Sequence, residues 1–178
     1  MATMKKVALE WELAGIIFII VLGTVLHFAF EWAGEWRPLA IIAPVNESVW
    51  EHLKLGFWSA LFFSFIEYPF VRTRANNIFV AKAVGILVIP IAIVVLFYAY
   101  TAFTEDILVA DILVFVVAVV LGQMASYKIL SSRRLPAGFD RCAIAVLVCL
   151  VLVFVLLTFF PPHLPLFKDP ISGMYGIP

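Results

Sequence analysis

The chain has 178 residues, of which 65% are hydrophobic and only 13% are charged. A soluble domain carries about 25% charged and about 45–50% apolar residues, so this chain cannot cover its apolar excess with polar surface. Much of its length must face lipid, and its size fits one compact bundle, a single transmembrane domain over residues 1–178. The 12 basic and 12 acidic residues balance, which argues against the net basic surface that binding to nucleic acid needs.

Five apolar runs predict five transmembrane helices, so the expected fold class is all-α. A helix needs about 20 apolar residues to cross a hydrocarbon core of ~30 Å. The runs cover residues 11–33, 48–71, 79–103, 107–130 and 142–160. The first is too long for a signal peptide and has a poor cleavage context, so we expect it to be retained. Short connections predict antiparallel neighbours in an integral membrane bundle.

The distribution of Lys and Arg predicts the orientation in the membrane. With five spans, the N-terminus and the second and fourth connections share one side. That side holds nine basic residues: Lys5, Lys6, Arg72, Arg74, Lys82, Lys128, Arg133, Arg134 and Arg141. The other side holds three: Arg37, Lys54 and Lys168. Because basic residues are retained inside, we expect a multi-pass protein of the cell membrane with a cytoplasmic N-terminus and an outside C-terminus.

The last segment, residues 161–178, is rich in proline, which excludes a continuous helix. Its apolar residues, such as Leu164, Phe167 and Tyr175, are untypical of a disordered tail. We therefore expect the tail to pack on the outer face of the bundle. This packing would bring His163 towards the other two histidines.

A first candidate site lies near the outer end of the first helix. His27 and Glu31 are four residues apart, so they share one helix face. Ionisable residues in a membrane segment cost up to about 2.5–3.5 kcal/mol at its centre and normally face a partner inside the bundle. The pair therefore predicts either metal ligands or a hydrogen bond between helices.

A second candidate site lies in residues 43–54, at the start of the second helix. Ser48 and Glu51 fit a capping box, which alone could explain them. Capping does not require His52, or Glu47 one turn before Glu51. Carboxylates and imidazole on one helix face are the ligands that zinc or another divalent ion needs. We expect metal ligation by His27, Glu31, His52 and His163, with Glu47 or Glu51 as a catalytic base.

Polar residues deeper in the apolar runs are interpreted as structural. Glu67 lies near the inner end of the second helix, where Arg72 or Arg74 could pair with it. Asp111, Gln123 and Ser126 on the fourth helix are expected to form hydrogen bonds between helices. The inner half thus offers few polar groups, which argues against a transport path across the membrane.

These segments resemble an uncharacterised family of small bacterial and archaeal polytopic membrane proteins. The resemblance rests on His27 with Glu31-Trp32, on the motif Pro-Val-Asn-Glu-Ser-Val-Trp-Glu-His-Leu-Lys at 44–54, and on the tail. It spans the chain from the first helix to the C-terminus. It implies that the three segments work together, and it implies no substrate.

Three functions are compatible with these features. The first is a membrane-embedded hydrolase in which a divalent metal, for example zinc, activates water against a lipid or lipid-linked substrate. The second is a cation transporter or channel subunit, and the third is a structural or accessory subunit without catalytic activity. The expected partners are membrane lipids and not nucleic acid, and the bundle is compatible with a homo-oligomer or a larger membrane complex.

Overall fold

The computed structural model describes residues 2–177, and this described part is an α-helical bundle without a β-strand. Its helices are α1 (Ala2–Trp32), α2 (Val49–Val71), α3 (Ile78–Thr101), α4 (Leu108–Leu130) and α5 (Gly138–Phe159). Short 3-10 turns lie at Arg37–Ile41 and Pro165–Phe167. Four helices, α1, α3, α4 and α5, are long and apolar enough to cross a membrane. The predicted all-α class with five helices is confirmed.

The helix boundaries follow from local chemistry as well as from hydropathy. The N-cap of α2 is Ser48, whose Oγ accepts a hydrogen bond from the Glu51 N–H at 3.3 Å. The carboxylate of Glu51 does not complete a capping box, because it accepts a hydrogen bond from the Val45 N–H at 2.9 Å instead. Helix α1 starts well before the first apolar run at residue 11, because residues such as Lys5 and Glu10 favour helix.

The helix α2 is the most enclosed element of the bundle and carries buried side chains along its whole length. The rings of Phe57 and Phe154 stack with centroids 4.2 Å apart, which joins α2 to α5. Trp50 also stacks on Phe154, with ring centroids 4.8 Å apart. This position explains why α2 bears charged residues, since Glu51, Lys54 and Glu67 all find partners inside the protein.

Helices α3 and α4 pack closely through glycines. A Cβ added at Gly85 would lie 3.0 Å from the carbonyl oxygen of Gly122 and equally close to the Ser126 side chain. Small residues at such positions let membrane helices approach each other without a loss of van der Waals contact. This close packing places Ser126 in the interior of the bundle, where it is fully buried.

Two connections at the same end of the bundle are joined by one side chain. Asn77, between α2 and α3, adopts the left-handed conformation with φ 55°. Its Oδ1 accepts from the Leu135 N–H at 2.8 Å, and its Nδ2 donates to the Arg133 carbonyl at 2.9 Å. The connection between α4 and α5 is thereby held against the connection between α2 and α3.

The tail returns to the start of α2. Phe167 is buried and stacks on Trp50, with ring centroids 4.7 Å apart. The Asn46 amide donates a hydrogen bond to the carbonyl of Gly176 at 2.8 Å. A tight turn within the tail is closed by Asp169, whose N–H donates to the Met174 carbonyl at 3.0 Å. The tail therefore contacts the same helix end that carries Glu47 and His52.

Candidate functional site

The first candidate site lies where the C-terminal half of α1 meets the N-terminus of α2. The chain between these helices turns at Gly34 and Glu35, both with positive φ, and then forms the 3-10 turn Arg37–Ile41. The hydrogen bond from the Val45 N–H to the Glu51 carboxylate fixes the last residues before α2. These contacts place Glu47 opposite α1.

Three predicted residues come together there. His27 of α1, Glu47 of the connection and His52 of α2 each offer a ligand atom, and these atoms all lie within 4.8 Å of one another. The two imidazole rings have centroids 5.2 Å apart. The His52 Nε2 lies 3.4 Å from Glu47 Oε2, and the two side chains are 34% and 47% exposed. The residues described in the structure could hold a metal ion at this position.

The hydrogen bonds around the group determine which atoms are free. His52 Nδ1 lies 2.9 Å from the Ser48 carbonyl oxygen, and because a carbonyl only accepts, this nitrogen carries the proton. In the neutral ring Nε2 is therefore an acceptor, and it can donate a hydrogen bond to Glu47 only when the ring is protonated. On the opposite side, His27 Nδ1 is buried and has no hydrogen-bond partner within the described residues. The group contains more acceptors than donors.

Glu47 supplies the negative charge. Hydrogen bonding to the His52 ring holds the pKa of the Glu47 carboxyl below its usual value, although partial burial opposes this shift. Glu47 is therefore ionised at neutral pH. A carboxylate and two imidazoles are a donor set that suits zinc, manganese or iron.

A cavity of about 170 Å³ opens beside the group. Its walls include the side chains of His27 and Glu47, and two further carboxylates, Glu31 and Glu35, lie on them. The remaining lining residues are Phe30, Pro44, Val45 and Asn46, so the lining contains no Lys or Arg. Glu31, predicted as a ligand, thus borders the same space without belonging to the three-residue group.

Two other predicted site residues lie elsewhere. Glu51 is buried and pairs with Lys54, whose Nζ lies 2.5 Å from Glu51 Oε2. His163 is exposed in the tail and packs against Tyr175, with ring centroids 4.6 Å apart. The structure therefore places Glu51 in a separate ion pair and His163 outside the His27–Glu47–His52 group.

The Lys54 ammonium is fully buried and completely surrounded by acceptors. Besides Glu51, the carbonyl oxygens of Ala40 at 2.8 Å and Ala43 at 3.1 Å and Thr158 Oγ1 at 3.1 Å lie within hydrogen-bonding distance of its Nζ, so its three N–H groups face four acceptors. It therefore joins the 3-10 turn, α2 and α5. The sequence analysis placed Lys54 with the outer connections and did not identify this role.

A second polar cluster, formed by Glu12, Glu67, Lys82 and Ser126, was missed by the sequence analysis. Glu67 does not pair with Arg72 or Arg74 as expected, because its carboxylate contacts the ammonium of Lys82 in α3. Lys82 was counted on the cytoplasmic side, near the start of the third apolar run, and the structure buries it inside α3. A usable signal existed, since Glu12 and Lys82 each interrupt or border an apolar run and a charge in such a run requires a partner. The expected hydrogen bonding of Ser126 between helices is confirmed by its contact with Glu12.

Comparison with known proteins assigns a family without an activity. No curated protein and no solved structure matches the chain. One family model matches residues 1–177, and its description is "Family of unknown function" (DUF6512). Because this match covers essentially the whole sequence, the resemblance to an uncharacterised family is confirmed, and the chain belongs to DUF6512.

Proposed function

We propose that this membrane protein binds a divalent metal ion, with zinc as the first candidate, between His27, Glu47 and His52. The observation that carries the proposal is the 3.4 Å separation of His52 Nε2 and Glu47 Oε2. A charge-assisted N–H···O bond is normally about 2.7–2.9 Å long, so the two atoms are farther apart than such a bond requires. Zinc–ligand distances of about 2.0–2.1 Å in a tetrahedron give ligand atoms about 3.3–3.4 Å apart.

The third ligand supports the same arrangement. His27 Nδ1 is a buried nitrogen without a hydrogen-bond partner among the described residues, and such a group is costly unless something binds to it. One ligand atom from each of the three residues lies within 4.8 Å of the others, so the three side chains could share one ion. The cavity bordered by Glu31 and Glu35 adjoins His27 and Glu47, so a water molecule or substrate could complete the coordination from that side.

We further propose that all five helices cross the membrane as one domain over residues 1–178, with the metal site on the outer face. The nine-to-three asymmetry of basic residues supports a cytoplasmic N-terminus and an outside C-terminus. The buried partners of the charged residues in α2 support its inclusion as a fifth span. The proposed partners are membrane lipids, in a homo-oligomer or a larger membrane complex, and not nucleic acid.

Elemental analysis tests the metal site directly. The full chain is purified in lipid nanodiscs without chelators and then equilibrated with zinc. We expect one zinc ion per chain in the wild type and none in His27→Ala or His52→Ala. The matched control is His163→Ala, which removes an exposed imidazole outside the group and should retain the metal. Wild-type protein that holds no metal after equilibration would refute the site and leave a Glu47–His52 ion pair.

A metal-dependent hydrolase is the second candidate function, and the cavity beside His27 and Glu47 favours it, because a catalytic zinc site keeps one position for water or substrate. In this reaction the oxygen of a water molecule adds to the ester carbonyl of a lipid, the C–O bond to the leaving group breaks, and a proton passes to the alkoxide. Since Glu47 would be a ligand and Glu51 pairs with Lys54, Glu31 is the carboxylate best placed to accept the proton of water.

Hydrolysis of a fluorogenic ester in mixed micelles tests this candidate. Zinc-dependent turnover should disappear in His52→Ala, while Glu31→Gln should lose turnover and keep the metal. Metal binding without any hydrolysis in the wild type would leave the metal site in place and remove the enzyme function.

A further inference from the structure

A second ionisable cluster lies at the opposite end of α1 and α2. It consists of Glu12 of α1, Glu67 of α2, Lys82 of α3 and Ser126 of α4, so four helices meet at it. All four residues are buried, and Glu67 and Ser126 have no exposed surface. Charged groups are placed inside a membrane bundle only with partners, and they commonly mark paths for ions or protons.

The contacts in this buried-charge cluster are unequal. Lys82 Nζ lies 2.7 Å from Glu12 Oε1 and also contacts Glu67 Oε2. Ser126 Oγ donates to Glu12 Oε1 at 2.5 Å. Three carboxylate oxygens, Glu12 Oε2 and both oxygens of Glu67, are buried and have no hydrogen-bond partner among the described residues. Glu12 thus receives two hydrogen-bond donors that favour its ionised form, whereas Glu67 has only the ion-pair contact with Lys82.

The charges in the cluster do not balance if every group is ionised. One ammonium faces two carboxylates, which leaves a net charge of −1 in a site that excludes water. A buried charge without compensation is costly, and carboxylates that share a site cannot both ionise easily. Binding one proton makes the cluster neutral and converts one acceptor oxygen into a donor.

We propose that Glu12, Glu67 and Lys82 form a proton-binding site in which the two carboxylates share one exchangeable proton, held mainly on Glu67. The proton is taken from water as a carboxylate becomes a carboxylic acid, and it returns to water in the reverse step. Exchange with water is short-range, because Lys82 lies only four residues after the start of α3 and Glu67 four residues before the end of α2, about 6 Å in each case.

The proton site is separate from the proposed metal site. Glu12 and His27 are fifteen positions apart on α1, as are His52 and Glu67 on α2, which corresponds to about 22 Å along each helix. The same two helices therefore carry both clusters at opposite ends. The two proposals can fail independently, since removing metal ligands does not touch the proton site.

Infrared difference spectroscopy of the full chain in nanodiscs tests the shared proton at about pH 7. The protonated carboxyl C=O band should be present in the wild type and should weaken by one group in either Glu12→Gln or Glu67→Gln. Each substitution leaves one carboxylate and one ammonium, which balance without a proton. Lys82→Met should do the opposite and strengthen the band, because two carboxyls then lack a counter-ion. The matched control is Glu10→Gln on α1, which removes an exposed carboxylate and should change nothing.

A second measurement needs no variant and covers the case in which one fails to fold. Solid-state NMR of wild type with ¹³C-labelled Glu and ¹⁵N-labelled Lys selects the glutamates in contact with a lysine nitrogen. We expect one of these carboxyls to show the chemical shift of a protonated acid. If every lysine-contacting carboxyl is ionised, or if Glu12→Gln and Glu67→Gln leave the infrared band unchanged, the cluster is a purely structural ion pair and the proposal is wrong.

Discussion

Two buried lysines show how the same side chain can serve different purposes in one bundle. Lys54 faces one carboxylate, two backbone carbonyls and one hydroxyl, so its charge is balanced and all of its contacts are to fixed groups. Lys82 faces two carboxylates, three of whose four oxygens have no hydrogen-bond partner in the described chain. The charges around Lys54 are already balanced, whereas those around Lys82 need one more positive charge to balance.

The contrast between Lys54 and Lys82 shows that burial alone does not distinguish a structural charge from a functional one. Both ammonium groups are almost inaccessible to solvent. What separates them is the balance of charges and the number of unsatisfied acceptors around them. By the same criterion, the His27–Glu47–His52 group belongs with Lys82, because it too has more acceptors than donors.

The largest expected effect on stability comes from breaking the Glu51–Lys54 ion pair. Glu51→Gln leaves the fully buried Lys54 ammonium without a counter-charge and should lower the free energy of unfolding by about 3–5 kcal/mol. Thermal or denaturant unfolding in detergent measures this change. Glu105→Gln, at an exposed position, is the control and should change stability by no more than about 0.5 kcal/mol. Equal stabilities of the two variants would contradict the structural role of Lys54.

The next largest expected effect is the pH dependence of zinc binding by the His27–Glu47–His52 group. An imidazole must be neutral to bind metal, and its ordinary pKa is about 6.5, so two imidazoles should weaken zinc binding by about 50–100-fold between pH 7 and pH 5.5. The pKa of Glu47 is lowered, so its carboxylate stays charged above its usual value of 4.5 and does not contribute in this range. The hydrogen bond that lowers this pKa requires a protonated His52 ring, and its contribution to stability is lost as the pH falls through the lower folded-state pKa of Glu47.

Competition titration with a zinc chelator at several pH values measures this dependence. The Glu51–Lys54 pair is the region for comparison. Its contribution to the free energy of unfolding should stay constant between pH 7 and pH 5.5. Zinc affinity that does not change between the two pH values would exclude the imidazoles as ligands.

A smaller effect is expected from one hydrogen bond to Lys54. Thr158→Val keeps the shape of the side chain and removes the Oγ1 acceptor that lies 3.1 Å from Lys54 Nζ. Hydrogen bonds to charged groups contribute about 1.5–3 kcal/mol, and the remaining three acceptors should hold the loss near 1.5 kcal/mol. Unfolding measurements compare it with Thr104→Val at an exposed position. A loss as large as that of Glu51→Gln would mean that the hydroxyl, not the carboxylate, balances the lysine.

The smallest effect sharpens the contrast between the two lysines. Glu67→Gln removes one of two carboxylates beside Lys82 and leaves a balanced pair with Glu12. We therefore expect a change in the free energy of unfolding within about 1 kcal/mol, well below the change for Glu51→Gln. The same unfolding assay measures both. A loss of about 3 kcal/mol or more would show that Lys82 needs both carboxylates for stability.

The sequence predicted the parts of this structure that depend on local pattern. The apolar runs determined the five helices, and Ser48 with its hydroxyl determined the start of α2. Spacing within the first helix also suggested His27, and spacing at the start of the second helix suggested His52. These features depend on periodicity and on near neighbours in the chain, which sequence makes visible.

Partner choice between helices was not predictable in the same way. Glu51 was considered as a catalytic base, but its side chain turns to Lys54, three residues later, inside the bundle. Glu12 and Lys82 are 70 positions apart in the chain and meet only when α1, α2 and α3 pack together. Which carboxylate reaches which ammonium depends on the rotation of each helix about its axis, and hydropathy does not encode this rotation.

The hydrogen bond between Asn46 and Gly176 has a practical consequence for anyone handling the protein. Asn46 precedes Glu47 directly and borders the cavity, and its amide also accepts the Ser48 N–H at the start of α2. The tail therefore supports the loop that carries the proposed ligand Glu47. An affinity tag fused after the tail would act on this support, so we expect a tag at the N-terminus, beside α1, to disturb the site less.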